Sequence, residues 1–169
     1  MIEVKFSIDL IVNNQVQILS EDIISTIKDD SIELLKQQEV IIGSIEIKVS
    51  DQEQLIVSDE LWAAVQNICF ECITAIFDGK KENYLYRFTE YEGHINLIPD
   101  GNKIRIISEN APMVTAPANE LFTALYKCGK RFIAFLKIIE GNDGPIVSYL
   151  EPFAERAKLS LIKHGVESV

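Results

Sequence analysis

Positive charge is what this 169-residue chain has least of: 16 Lys and Arg stand against 26 Asp and Glu, giving a formal net charge of −10. Nucleic acid and anionic membrane surfaces both demand a basic face, so neither is expected as a partner. Long apolar runs are missing too. None approaches the ~20 residues needed to span a bilayer, and the start Met1-Ile2-Glu3-Val4-Lys5-Phe6 alternates like a strand instead of placing a basic segment before an apolar one. A cytoplasmic location is expected. Cysteine is scarce: three residues, an odd number without framework spacing, fit a reducing compartment better than a secreted disulfide scaffold. Cofactor fingerprints and catalytic signatures are lacking, so no cofactor is expected. What remains is the composition of one ordinary globular domain spanning 1–169, long enough to bury a single substantial core.

The charge is unevenly spread. Residues 1–60 hold 13 acidic against 4 basic side chains, whereas residues 110–169 hold 6 against 7. Acidic pairs at helix starts favour the positive end of the helix dipole, which accounts for Glu21-Asp22 and Asp59-Glu60. Asp29-Asp30 with Glu33, and Asp51 with Glu53, lack that explanation in the sequence. They are candidate partner-binding residues, able to steer a basic protein towards one edge of the domain.

Hydrophobic periodicity predicts the elements. Ile2, Val4, Phe6, Ile8, Leu10 and Val12 alternate as a half-buried strand ended by Asn13-Asn14. Ser20 can cap a helix with Ile23, Ile24, Ile27, Leu34 and Leu35 on its apolar side, interrupted near Asp29-Asp30-Ser31. Ile45, Ile47 and Val49 form a second strand and Leu55-Ile56-Val57 a short third, after which Ser58 and Asp59 read as a cap. From Asp59 to Phe77 a wide apolar stripe predicts a helix, ended by Gly79. Strands at 82–89, 93–98 and 103–108 form a three-strand meander. Pro117 opens a helix over 118–139, with Gly129 in its apolar stripe for close approach to the sheet, and a last helix perturbed at Pro152 runs to His164. The fold class is α+β: a mostly antiparallel sheet with helices packed on one side.

Three constellations bear on chemistry. Cys69-Phe70-Glu71-Cys72 has the spacing of a metal or redox pair, but both cysteines lie in the apolar stripe, far from the helix start that lowers a thiol pKa. Core packing is the better reading, and no metal is expected. On the meander, Arg87, His94, Asn96 and Arg105 share the side opposite the apolar residues, a cationic face able to hold a phosphate or carboxylate, with a solvated sheet face as the alternative. At the first meander turn, Tyr91 between Glu90 and Glu92 can project an aromatic to a partner, with a solvated hairpin turn as the alternative. Phe70, about 120° from the centre of its stripe, is expected to pack beneath a neighbouring element.

The stretch from Tyr84-Leu85-Tyr86-Arg87-Phe88 through Pro99-Asp100-Gly101-Asn102-Lys103 to Leu125-Tyr126-Lys127-Cys128-Gly129-Lys130-Arg131-Phe132, in a small acidic α+β chain, resembles the immunity proteins of bacterial toxin systems, including contact-dependent growth inhibition. The likeness is one of overall character and transfers no binding residue. It implies a protein without catalytic activity that binds and blocks a cognate, basic, nuclease-like toxin. The residues themselves leave two alternatives: a small anion-binding protein or enzyme using the cationic meander face, and a self-associating subunit using helix surfaces around Phe70 or Phe153.

Overall fold

The computed structural model describes residues 1–166 apart from Ser25, Asp51, Glu53, Lys80 and Asn110. Alternation over the first twelve residues yields β1 (Ile2–Val12), burying Val4, Phe6, Ile8 and Leu10 on one side. Asn13 and Asn14 both adopt positive φ, 51° and 60°, the turn whose twist suits a two-residue hairpin. The chain therefore returns as β2 (Gln15–Ser20), antiparallel to β1. The helix expected from Ser20 is two pieces, α1 (Glu21–Ile24) and α2 (Asp29–Gln37). Next come β3 (Ile42–Val49) and β4 (Leu55–Glu60), completing an antiparallel sheet in the order β2-β1-β3-β4. Ser58 and Asp59 are strand residues here, not a helix cap.

The expected helix is continuous from Leu61 to Phe77 but not uniform: α3 (Leu61–Ala64) leads into a π-helical Val65–Glu71 and then α4 (Cys72–Phe77). The Cys72 N–H reaches the carbonyl of Asn67, five residues back. Each residue of a π-turn advances through less than 100°, so the apolar stripe drifts and Phe70, at the stripe's margin on an ideal helix, faces inward with 0% exposure. Gly129 makes room for it. A Cβ at Gly129 would stand 2.5 Å from Phe70 Cζ and 2.8 Å from Cys69 Cβ. The close approach expected of this glycine is real, but it is to the π-helical turn, not to a sheet.

A second antiparallel sheet follows, β5 (Tyr84–Arg87), β6 (His94–Asp100), β7 (Lys103–Ser108) and β8 (Ala111–Pro117), in sequential order. The meander thus has a fourth strand, and the strands divide into two sheets instead of one. Pro112 and Pro117 mask β8 in the sequence, because proline is confined to sheet edges, which is where β8 lies. Gln52 seals that edge: its side-chain amide donates to the Thr115 carbonyl and accepts from the Thr115 N–H, both at 2.9 Å.

Helices α5 (Ala118–Glu140) and α6 (Pro145–Lys163) pack on each other and on the 61–77 helix, and α5 also touches β1, β7 and β8. Leu121, Phe122, Leu125, Cys128, Phe132, Leu136 and Ile139, the predicted stripe of α5, are all buried. Phe6 of β1 meets Phe132 edge to face at 5.4 Å, and Phe77 meets Phe122 at 4.9 Å, so aromatic contacts tie sheet and helices into one core. No helix among the described residues is long and apolar enough to cross a membrane.

Candidate functional site

Asp59, at the far end of β4, is 0% exposed, and among the described residues its carboxylate is held by hydrogen bonds and pairs with no cation. It accepts from the Tyr86 hydroxyl, from the Thr89 N–H at 2.9 and 3.0 Å, from the Thr89 hydroxyl at 2.8 Å and from the Glu90 N–H at 2.8 Å. Burial alone would raise the Asp59 carboxyl; the hydrogen bonds from Tyr86, the two amides and the Thr89 hydroxyl outweigh it and hold the group below its ordinary 3.8. Burial, followed by the bond and charge of Asp59, pushes the Tyr86 hydroxyl far up. One buried carboxylate therefore pins the 88–93 loop, a segment with no regular ladder of its own, to the first sheet.

The loop is closed by the Phe88 N–H donating to the Gly93 carbonyl at 3.1 Å. Gly93 has φ +137°, and a Cβ there would stand 2.9 Å from the Phe88 ring, so glycine fits on both counts. Above this closure Glu90, Tyr91 and Glu92 are exposed, Tyr91 by 50%. Antiparallel order brings the end of β7 to the same end of the sheet. Glu109 stands there, its carboxylate 2.6 Å from His94 Nδ1.

A cleft of about 390 Å³ opens beside Glu60, between the end of α2 with the segment after it and the start of α6. Glu39, Glu60, Glu140 and Trp62 are among its lining, as is Lys36, which is paired with Glu33. The Trp62 indole N–H donates to Glu60, and its ring meets Tyr149 edge to face at 5.6 Å; Tyr149 in turn lies 5.3 Å from Phe153. Glu140 is already engaged, accepting the Ile146 N–H at 3.1 Å. The end of β4 is thus bordered by carboxylates and half-exposed aromatics, a combination suited to meeting cationic side chains.

Comparison with known protein families, curated proteins and solved structures found no match. The residues alone carry the functional reading.

The acidic residues singled out in the sequence fall in separate places. Asp29 and Asp30 occupy the first turn of α2, where the helix dipole accounts for them, and Glu33 is paired with Lys36 at 2.7 Å. Helix α2 packs on β1 and α5. Asp51 and Glu53 lie outside the described residues; their neighbour Gln52 binds β8 at the opposite end of β4 from Asp59. Glu90, Tyr91 and Glu92 do share one exposed loop, with Glu109 at its base beside Gly93 and His94, while Glu60 borders the neighbouring cleft. Sequence reasoning missed Glu60 because Asp59-Glu60 passed for a helix cap, and missed Glu39, Trp62 and Glu140 because no local pattern ties residues so far apart.

Arg87, His94, Asn96 and Arg105 share one face of the second sheet as expected, with Arg87 directly opposite His94. Carboxylates have reached two of them: Glu109 at His94, and Asp100 at 3.5 Å from Arg105 Nε, too long for a good hydrogen bond. Among the described residues, Arg105 Nε and Asn96 Oδ1 are buried atoms without a hydrogen-bond partner. Cys69, Cys72 and Cys128 are buried, and desolvation pushes the Cys69 and Cys72 thiols up. Their surroundings are those of core residues, and among the described residues no group of three or more His, Cys, Asp or Glu stands in a ligating arrangement. Phe153 is half-buried, with the Arg156 guanidinium 4.6 Å over its ring.

Proposed function

We propose that this chain is a non-catalytic inhibitor of the immunity type, acting in the cytoplasm, which binds and neutralises a basic, nuclease-like toxin through the acidic end around Glu60, Glu90, Tyr91, Glu92 and Glu109. The observation that carries this reading is the burial of Asp59 beneath the loop. A fully desolvated carboxylate is expensive unless every lone pair is used, and here its donors come largely from the segment that displays the exposed acids and Tyr91. Ordering a binding loop in advance lowers the entropy lost on association. Clustered negative charge then speeds encounter with a positive nuclease groove, and the tyrosine supplies apolar contact at its centre.

The test is genetic. Toxic domains encoded beside the gene for this chain are expressed in a sensitive host with and without it. Rescue of growth that is lost in a Glu90→Lys, Glu92→Lys variant supports the proposal; growth arrest unaffected by the wild-type chain contradicts it.

A second reading rests on Arg105, whose Nε–H is a buried donor with no hydrogen-bond partner among the described residues, a capacity that suits an anionic ligand on the second sheet's outer face. Amide shifts confined to β6 and β7 on titration with inorganic phosphate would support it, and their absence would remove it.

A further inference from the structure

Strand β2 is the outermost strand of the first sheet, and among the described residues no strand pairs with its free edge. Natural sheet edges are blunted by lysine, proline or bulges. Residues 10–20, Leu-Ile-Val-Asn-Asn-Gln-Val-Gln-Ile-Leu-Ser, include no charged residue and no proline, in a chain that is one-quarter charged. The other sheet's edge strand β8 has two prolines and a glutamine amide across it. Val16 and Ile18 of β2 are 61% and 68% exposed, beside Ile11 of β1 at 52%.

The hydrogen-bonding phase of this edge follows from β1. The Ile11 N–H donates to Gln38 Oε1 at 2.9 Å, and Gln38 Nε2 donates to the Asp9 carbonyl at 3.3 Å, both on the side of β1 away from β2. On the β2 side, beyond the end of that strand, the Phe6 N–H donates to Glu21 and the Val4 carbonyl accepts from Arg131. Even-numbered residues of β1 therefore direct their backbone groups towards β2, where their partners are Gln15, Gln17 and Leu19. The N–H and C=O groups of Val16, Ile18 and Ser20 point outward.

We propose that β2 pairs antiparallel with β2 of a second copy of this chain, about a two-fold axis at Gln17, joining the two four-stranded sheets into one of eight. This register sets Val16 opposite Ile18 of the second copy and Ile18 opposite its Val16. Both pairs exchange the outward-facing backbone groups, giving four hydrogen bonds. Their side chains lie on the same face, where four aliphatic residues shield one another, flanked on β1 by Ile11 and Asp9 of each copy. Two features select a second copy as the occupant. The register is self-complementary, and the uncharged strip is where two chains of net charge −10 meet with least repulsion. The pairing also closes, because it leaves β4 at both ends of the joined sheet. It does not depend on what binds the acidic end.

Sedimentation of the full chain at tens of micromolar is expected to give twice the monomer mass of 19.1 kDa, and Ile18→Lys to give the monomer with an unchanged far-ultraviolet spectrum. Hydrogen exchange locates the contact: the Val16 and Ile18 amides gain at least roughly tenfold protection as concentration rises, while the Gln17 amide, bonded to β1, is protected throughout. A wild-type chain that stays monomeric overturns the proposal. So does a dimer that survives Ile18→Lys, or one whose Val16 and Ile18 amides exchange as fast as in the monomer.

Discussion

Replacing Asp59 by asparagine keeps the shape of the side chain and removes one of its two acceptor oxygens. Four donors converge on the carboxylate: the Tyr86 hydroxyl, the Thr89 N–H and hydroxyl, and the Glu90 N–H. In the variant the remaining oxygen keeps some of these, and the new amide nitrogen confronts the others with a donor. A stranded buried donor costs about 1–3 kcal/mol, so Asp59→Asn is expected to destabilise the fold by about 2–4 kcal/mol. The carboxyl is held below its ordinary 3.8, so it stabilises the fold above about pH 4, and that contribution is lost as pH falls through the folded-state value. Urea denaturation followed by circular dichroism at pH 7 and near pH 3 measures both effects. The gap between wild type and Asp59→Asn should be wider at pH 7 than near pH 3. A variant within about 0.5 kcal/mol of wild type at pH 7, where ordinary surface changes fall, would refute the anchoring role, as would a gap that does not change with pH.

Gly129→Ala places a methyl group against Phe70 and Cys69, both fully buried. Overpacking of about 1–3 kcal/mol opposes the ~1 kcal/mol that alanine gains in helix propensity, and a net loss of up to about 2 kcal/mol is expected in urea melts; a stabilised variant would mean that the π-helical turn yields freely. The three cysteines should resist a thiol-specific reagent at pH 8 in the native state and react in full after denaturation, since all are buried. Rapid native labelling of Cys69 or Cys72 would count against core packing.

The legibility of this chain followed how local each signal was. The stripe of α5 and the alternation of β1 reflect burial on one side, and periodicity reads that directly. Strand β2 escaped because Val16 and Ile18 face solvent, leaving only the Asn13-Asn14 turn to announce a hairpin. The inward rotation of Phe70 depends on a π-turn that no 100° projection contains. Asp59 marks the largest gap between sequence and site. Locally it looks like a helix cap, and only the return of the chain some thirty residues later, with Tyr86 and Thr89, gives it a different task. The acidic excess was visible from composition, but its division between the dipole-complementing turn of α2 and the anchored loop required the tertiary fold.

The central claim is that the anchored acidic end, not acidity in general, meets a basic partner. Stopped-flow association with that partner over a range of ionic strength tests it directly, comparing wild type, Glu90→Lys with Glu92→Lys, and Asp29→Lys with Asp30→Lys. All three carry defined charge, and the two double variants have the same net charge. The expected result is a slower on-rate with a flatter salt dependence for the Glu90, Glu92 pair, and a much smaller change for the Asp29, Asp30 pair. Equal slowing by both pairs, or an on-rate indifferent to ionic strength, would contradict the account.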